Sequence, residues 1–494
     1  MFEDRIKNTK LLGKIMSVED AASLIMENMT VCFSGFTAVG YPKAIPLEIA
    51  RQAKARNLKV IAGASTGREL DGALANAGLI GFRTPFNVNK DLRNCINQGK
   101  TGFADQHLGH IPQMVRSGIF GKIDYAVIEC CGITEDNGII PTLSVGSSNS
   151  FIECADRIIL ELNLTHPVEL FGIHDIYNIG KLPTYKTVQI SEVGDHIGEP
   201  VIHFDPEKIA GIVIVEDEDQ EPRFVEPDTI SQRIAENIIR IIKKEISEGR
   251  LPENFTIQSG FGAVANAVLY GLGSDDFGEF NMFTEVVQDG ALELILKDKI
   301  RHASATSLCF SKAGRKKFYN SLDAIKDRFV IRPQDISNNG GLIRSLGVVA
   351  MNTAVEVDIY GNINSTHSLG SSIINGLGGS GDFARNSLIT IFMTPSTAKN
   401  GNISSIVPMV SHVDHTEHDS QFIVTEYGYA DLRGKTPKER AELIIENCCH
   451  PDYKPLLRDY FEKAKAVSLS QHTPHDLRIA LSWHLKYLEE GSMK

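Results

Sequence analysis

Short apolar runs rich in β-branched residues recur through the first half of the chain: VCFSGF (Val31–Phe36), KVIAGAS (Lys59–Ser65), DYAVIECC (Asp124–Cys131) and RIILELN (Arg157–Asn163). They are continuous rather than alternating, the pattern of strands buried on both faces of a parallel sheet. Stretches with helical spacing, such as Pro46–Arg56, lie between them, so the order is α/β. KIAGIVIV (Lys208–Val215) closes this half, and the acidic, proline-terminated EDEDQEP (Glu216–Pro222) is the best linker candidate. In the next stretch Ile230, Ile234, Ile238, Ile242 and Ile246 recur every four residues, which predicts a long amphipathic helix with Thr229 as its N-cap. TIQSGFGAV then starts a new strand and glycine turn, and Thr353–Thr366 reads as a β-hairpin.

The turn itself is written twice. SGFTAV (Ser34–Val39) and SGFGAV (Ser259–Val264) agree at five of six positions, 225 residues apart. The simplest account is two similar open α/β domains, residues 1–220 and 221–494, each with a glycine turn at the carboxyl end of a strand, where open sheets bind ligands. Coincidence is the competing account, because the rest of the two halves aligns poorly.

A chain of 494 residues is too long for one ordinary core. Its net charge of −12 argues against a nucleic-acid or anionic-membrane partner, and the basic cluster GRKKF (Gly314–Phe318) reads as a solvated helix face. No stretch of 18 apolar residues occurs and the start lacks a signal-peptide pattern, so a cytoplasmic protein is expected. The eight cysteines show no zinc or redox spacing and suit reduced thiols.

Several segments are candidates for chemistry. Asn375–Phe383 contains Gly376-x-Gly378-x-x-Gly381, but no acid follows Asp382 within 20 residues to hold a ribose, so nicotinamide binding is disfavoured. Four glycines in six residues still let main-chain N–H groups approach something negative. Glu285 in FTEVVQDG is placed at a strand end, either as a surface acid or as a nucleophilic carboxylate. HVDHTEHD (His412–Asp419) suits a metal site less well than a hydrogen-bonded polar turn. Asn338 in RPQDISNNG and Glu426 in TEYGYADLRG stand beside turn-forming sequence. With no Gly-x-Ser-x-Gly elbow and no P-loop, serine hydrolases and NTP-binding proteins drop out.

Taken together, SGFGAV, TEVVQDG, RPQDISN, VDIYGNINSTH, NGLGGSGDFARN and TEYGYADLRG resemble the acetyl-CoA hydrolase/transferase family, among the class I CoA-transferases. The resemblance implies two similar α/β domains with the active site in the cleft between them. It implies an acyl-CoA:carboxylate CoA-transferase acting through a glutamyl-CoA thioester, with acetyl-CoA hydrolysis as the alternative. Glu285 matches the nucleophile, Asn338 the residue that orients it, and Glu426 a further partner of that network. The amides of Phe261 and Gly379 match the oxyanion donors; phenylalanine, where relatives often carry valine, keeps the amide and reshapes the acyl pocket. Coenzyme A is then a substrate and covalent intermediate, lying along Gly260, Phe261, Gly262, Ala263 and Val264 and against Asn375 and Gly379, with Lys399 on its phosphate or adenosine side. No permanent cofactor and no metal are implied, and a homodimer is.

Overall fold

Residues 2–222, 226–274 and 277–494 are described by a computed structural model. The apolar runs become strands close to where the sequence puts them, at Thr30–Phe33, Leu58–Ala62, Ile123–Cys130, Ala155–Asn163 and Ile209–Val215. Ile80–Thr84, which the sequence reading did not single out, and Gly102–Phe103 complete a seven-stranded sheet. In it Val31 registers against Tyr125 on one side and Val60 on the other, and every neighbouring pair is parallel. Burial on both faces explains the unbroken apolar runs: Val31, Phe33, Val60, Val127 and Ile159 share one core cluster with Ile45 and Ile49 of the helix Ala44–Gln52.

This sheet belongs to a unit that is not contiguous in sequence. Met1–Arg223 pack with Asn281–Leu346 and Asn375–Asp382. The second of these segments brings the strands Phe280–Phe283, Ile300–Ala305 and Phe329–Ile331, lying side by side, and the helices Asp289–Leu296 and Lys312–Ile325. GRKKF falls on the latter helix; Lys316 and Lys317 are exposed as expected, but Arg315 is buried and reaches Glu218 at 3.1 Å.

The acidic run Glu216–Pro222 is tethered rather than free. Asp219 is 4% exposed and pairs with the buried Lys43 ammonium at 2.9 Å, Glu218 meets Lys312 at 2.9 Å, and the Asp217 carbonyl accepts from the Asn163 amide at 2.7 Å. Lys43, 2% exposed, also pairs with buried Glu129. A buried ammonium needs such partners, which is why an acidic stretch that composition assigns to solvent is drawn inward.

The other unit comprises Phe224–Phe280, Gly347–Ile374 and Phe383–Lys494. Its long helix runs Thr229–Ser247, with Ile234, Ile238, Ile241 and Ile242 buried and Ile230 exposed near its start. The cap is Asp228, whose side chain accepts from the Ser231 amide, so Thr229 is the first helical residue rather than the N-cap. Strands Thr256–Ser259, Val348–Thr353, Ile389–Met393 and Phe422–Thr425 follow one another in parallel, and Gly428–Asp431 adds an antiparallel edge. The expected hairpin forms with Glu356 opposite Asn364. HVDHTEHD lies against this hairpin as a polar turn. Asp414 accepts from the Ser365 amide at 2.6 Å and the Thr366 hydroxyl at 2.9 Å, His415 is buried, and the His412 ring lies 3.8 Å from that of His367, the two planes tilted by 34°.

The two copies of the repeated hexapeptide adopt different turns. In SGFGAV, Gly262 takes φ +118° and the helix Ala263–Leu272 begins at once. In SGFTAV, Gly35 (φ +109°) and Thr37 (φ +55°) fold the chain back so that the Phe36 amide donates to the Val39 carbonyl. Gly40 (φ +67°) and Pro42 then defer the helix to Ala44.

Candidate active site

Glu285 sits where the strand Phe280–Phe283 breaks before the two-residue strand Val286–Val287, which pairs in parallel with Ser307–Leu308. Its backbone is pinned there, because its carbonyl accepts the amides of both Thr306 and Ser307 at 3.1 Å. The side chain is held from another direction: Oε1 accepts from Asn338 Nδ2 at 2.8 Å. Asn338, 3% exposed, caps the short helix Gln334–Ser337 and donates its backbone amide to the Gln334 carbonyl at 3.0 Å. The Ser337 hydroxyl donates to Asn338 Oδ1 at 2.9 Å, so the side-chain NH₂ is the end that faces the carboxyl.

The same NH₂ group donates to Asp382 Oδ2 at 3.1 Å, and the Gly109 amide donates to that oxygen at 3.0 Å. Asp382 is 8% exposed. Two carboxyls thus converge on one neutral amide.

The glycine-rich segment is shaped around this pair. A Cβ on Gly379 would lie 2.0 Å from Glu285 Oε1 and 2.4 Å from Asn338 Nδ2. One on Gly109 would lie 2.7 Å from the Asn338 carbonyl oxygen, and one on Gly381 would strike the His107 ring at 2.3 Å. Only a hydrogen fits at these three positions. The segment is also anchored: the Gly376 amide donates to the Asn87 carbonyl at 2.7 Å, the Leu377 amide to Asp105 at 2.9 Å, and Phe86 walls off Gly376. The Asn375 side chain folds back onto the Gly376 carbonyl at 2.9 Å.

Burial raises the Glu285 carboxyl to about 7; the Asn338 hydrogen bond opposes the shift and the neighbouring Asp382 adds to it. Asp382 is likewise pushed up to about 7 by burial, against the Gly109 amide and the Asn338 side chain. A desolvated carboxylate with a raised pKa is a stronger nucleophile when ionised, and here a neutral amide rather than a cation fixes it.

Glu285, Asn338, Gly379 and Asn375 therefore lie in one unit, and the remaining expected site residues lie in the other. There Gly260 and Phe261 follow the strand Thr256–Ser259, Phe261 is 43% exposed, and Gly262, Ala263 and Val264 open a ten-residue helix. Lys399 is exposed at the tip of the hairpin Thr397–Ala398/Ile403–Ser404, where it, Asn400 and Gly401 all take positive φ. Glu426 occupies the turn between Phe422–Thr425 and Gly428–Asp431. Its carboxylate accepts from the Ser396 amide at 2.9 Å and the Ser396 hydroxyl at 2.6 Å.

Sequence reasoning missed Asp382, Gly109 and His107 as members of the constellation. Asp382 stood in view within GGSGDF, but nothing in spacing shows that it meets residues 109, 285 and 338. Among the described residues one group has metal-binding spacing, Glu129, His166 and Asp219. All three are buried, and the Lys43 ammonium already stands among them as the cation.

The family model of the acetyl-CoA hydrolase/transferase N-terminal domain matches residues 2–214, and that of the C-terminal domain matches residues 314–461. The succinyl-CoA:acetate CoA-transferase of Clostridium kluyveri is 46% identical over 100% of this chain and 92% of its own. The acetyl-CoA hydrolase of Schizosaccharomyces pombe is 43% identical over 100% of this chain and 99% of its own. Among solved structures, RipA from Yersinia pestis superposes with a TM-score of 0.71 over 92% of this chain and 98% of its own, at 21% identity, a likeness of fold. With both family models matched along its length and relatives this similar end to end, the chain belongs to the acetyl-CoA hydrolase/transferase family.

Proposed function

We propose that the protein is an acyl-CoA:carboxylate CoA-transferase whose nucleophile is Glu285. The observation that carries this reading is the Glu285 carboxyl, held at 2.8 Å by an amide that Ser337 orients, with Gly379 pressed against it so closely that no side chain fits. Such a group can attack the thioester carbon of an acyl-CoA, forming a C–O bond as the C–S bond breaks. An acyl-glutamyl anhydride and CoA thiolate result. The thiolate then attacks the glutamyl carbonyl, expelling the free acid and leaving a glutamyl-CoA thioester. A second carboxylate runs the two steps in reverse and leaves as the new acyl-CoA. Thioester and anhydride are both activated acyl groups, so the covalent route conserves energy that hydrolysis would dissipate.

The tetrahedral intermediates carry an oxyanion, for which the Gly379 amide is one donor in this reading. The roles of Phe261 as a second donor, of Glu426 as a supporting carboxylate, and of Gly260–Val264, Asn375 and Lys399 as contacts to coenzyme A follow from the family resemblance. The same reading has the enzyme working in the cytoplasm as a homodimer; no described helix is long and apolar enough to cross a membrane.

Acetyl-CoA hydrolysis at the same glutamate is the second reading, favoured by relatives that carry that name. The two are separated by supplying an acyl-CoA with and without acetate or succinate. A transferase consumes little donor until the acceptor is added, and its CoA then appears as the new acyl-CoA; donor consumption with release of free CoA at an undiminished rate without acceptor would make the protein a hydrolase.

A further inference from the structure

Asp382 has no place in the steps above, yet it shares the amide that holds the nucleophile. Asn338 Nδ2 lies 2.8 Å from Glu285 and 3.1 Å from Asp382, and the amide carries no net charge. The other charged or titratable groups on these elements include Arg385, exposed in the last turn of the helix Ser380–Asn386 that carries Asp382, His107 and His110 of the turn 107–110, Asp105, which accepts the Leu377 amide, and Asp335, which is paired with Arg116 at 2.6 Å. The electrostatic push on Glu285 comes from Asp382. Two ionised carboxyls withdrawn from water and separated by a neutral amide repel at high cost, and the arrangement is relieved by one proton.

We propose that Asp382 is a positioning residue that shares a single proton with Glu285 across the Asn338 amide, its charge holding that proton on Glu285 until Glu285 ionises to attack. The inference rests on the reading of Glu285 as nucleophile. Its charge balance is closed. Attack begins with a negative charge on each carboxyl. As the C–O bond forms and the C–S bond breaks, the charge of Glu285 passes to the CoA thiolate, and on the second attack it departs with the released acid. Asp382 keeps its charge throughout, so the repulsion across the amide falls as Glu285 becomes acylated. The Gly109 amide, 3.0 Å from Asp382, and the missing Cβ on Gly109 fix that carboxylate where it is needed.

The consequence is a pH profile. Burial holds both carboxyls near 7, and the charge of Asp382 adds to the rise at Glu285, so attack by Glu285 falls away as pH drops through that value. Asp382→Asn keeps an oxygen for the Gly109 amide but removes the charge that adds to the rise burial causes at Glu285. Ionisation of Glu285 then extends to lower pH, and the acid limb of kcat/KM moves down by about half a pH unit or more, burial keeping the rest of the rise. For every pH unit that the limb moves, the relative rate at about pH 5.5 rises roughly tenfold. An unmoved or upward-shifted limb would overturn the inference. Asp382→Ser supplies a second uncharged variant, with the same displacement expected. In the unaltered enzyme, covalent capture of CoA measured at single turnover should rise near pH 7, and a limb at the ordinary glutamate value of about 4.3 would overturn the inference without any variant. Peptide mass spectrometry separates the two levels of failure. Absence of a CoA adduct on Glu285 sinks the parent reading, whereas an adduct with an unmoved limb sinks the shared proton alone.

Discussion

Replacing Gly379 by alanine tests the geometry of the site more sharply than removing the nucleophile. The new methyl would stand 2.0 Å from Glu285 Oε1, where Cβ contacts under 3.0 Å are essentially never found, so something must yield by at least 1.0 Å. The glycine segment has little freedom to retreat: Gly376 is bonded to the Asn87 carbonyl and packed on Phe86, Leu377 is bonded to Asp105, and Gly381 abuts His107. The Glu285 side chain is the softer partner, and to clear the methyl it must leave the Asn338 amide. Misplacement of a reacting group by about 1 Å costs on the order of 100-fold, or about 2.7 kcal/mol of transition-state stabilisation. Overpacking should also lower stability by about 1–3 kcal/mol. The assay is CoA transfer from an acyl-CoA to acetate, read with single-turnover formation of the glutamyl adduct and thermal unfolding of the same sample. A Gly379→Ala protein that forms the adduct within about threefold of the unaltered rate would refute the claim that this glycine and this carboxyl are packed together.

Three other substitutions probe the chemistry and the buried charges. Glu285→Gln should lose transfer by about four orders of magnitude, since both covalent steps lose their nucleophile, while keeping its unfolding temperature; residual turnover within tenfold would remove Glu285 from the mechanism. Lys43→Met leaves buried Glu129 and Asp219 without their ammonium and should destabilise the protein by about 3–5 kcal/mol in denaturant unfolding, and a loss below about 1 kcal/mol would mean the cluster repartners without it. Glu245 is held at about 2 by the guanidinium groups of Arg250 and Arg433, so its contribution is complete above the ordinary glutamate range and fades as pH falls toward 2. Glu245→Gln should flatten the acid side of the stability curve over that window, and an unchanged slope would count against the assignment.

Much of the fold was legible in the sequence because parallel strands buried on both faces leave unbroken β-branched runs, and five of these fell within a few residues of observed strands. Ile80–Thr84 escaped because its central residues Gly81, Phe82 and Arg83 give no such run. The repeated hexapeptide misled in part. Nearly identical letters fold differently because Thr37 (φ +55°) stands where the second copy has Gly262 (φ +118°), and because the residues beyond the turn decide whether a helix starts at once: Ala265-Asn266-Ala267 continues one where Gly40-Tyr41-Pro42 cannot. The cap of the long helix lies one residue before Thr229 because isoleucine periodicity fixes the face of a helix and not its first residue. At the site, Glu285, Asn338 and Gly379 were legible through their motifs. Gly109 was not, because its bond to Asp382 spans 273 residues and leaves no local signature.

The interleaving of the first unit has a consequence for how the protein is made. Its last contributing segment, Asn375–Asp382, carries the glycine and the acid that enclose Glu285. A nascent chain therefore cannot finish that unit until residue 382 has left the ribosome, and must carry its exposed strand surfaces until then. A gene cut between residues 220 and 281 would give neither fragment a complete first unit, so trials of split versions should retain activity only when the two pieces are co-expressed.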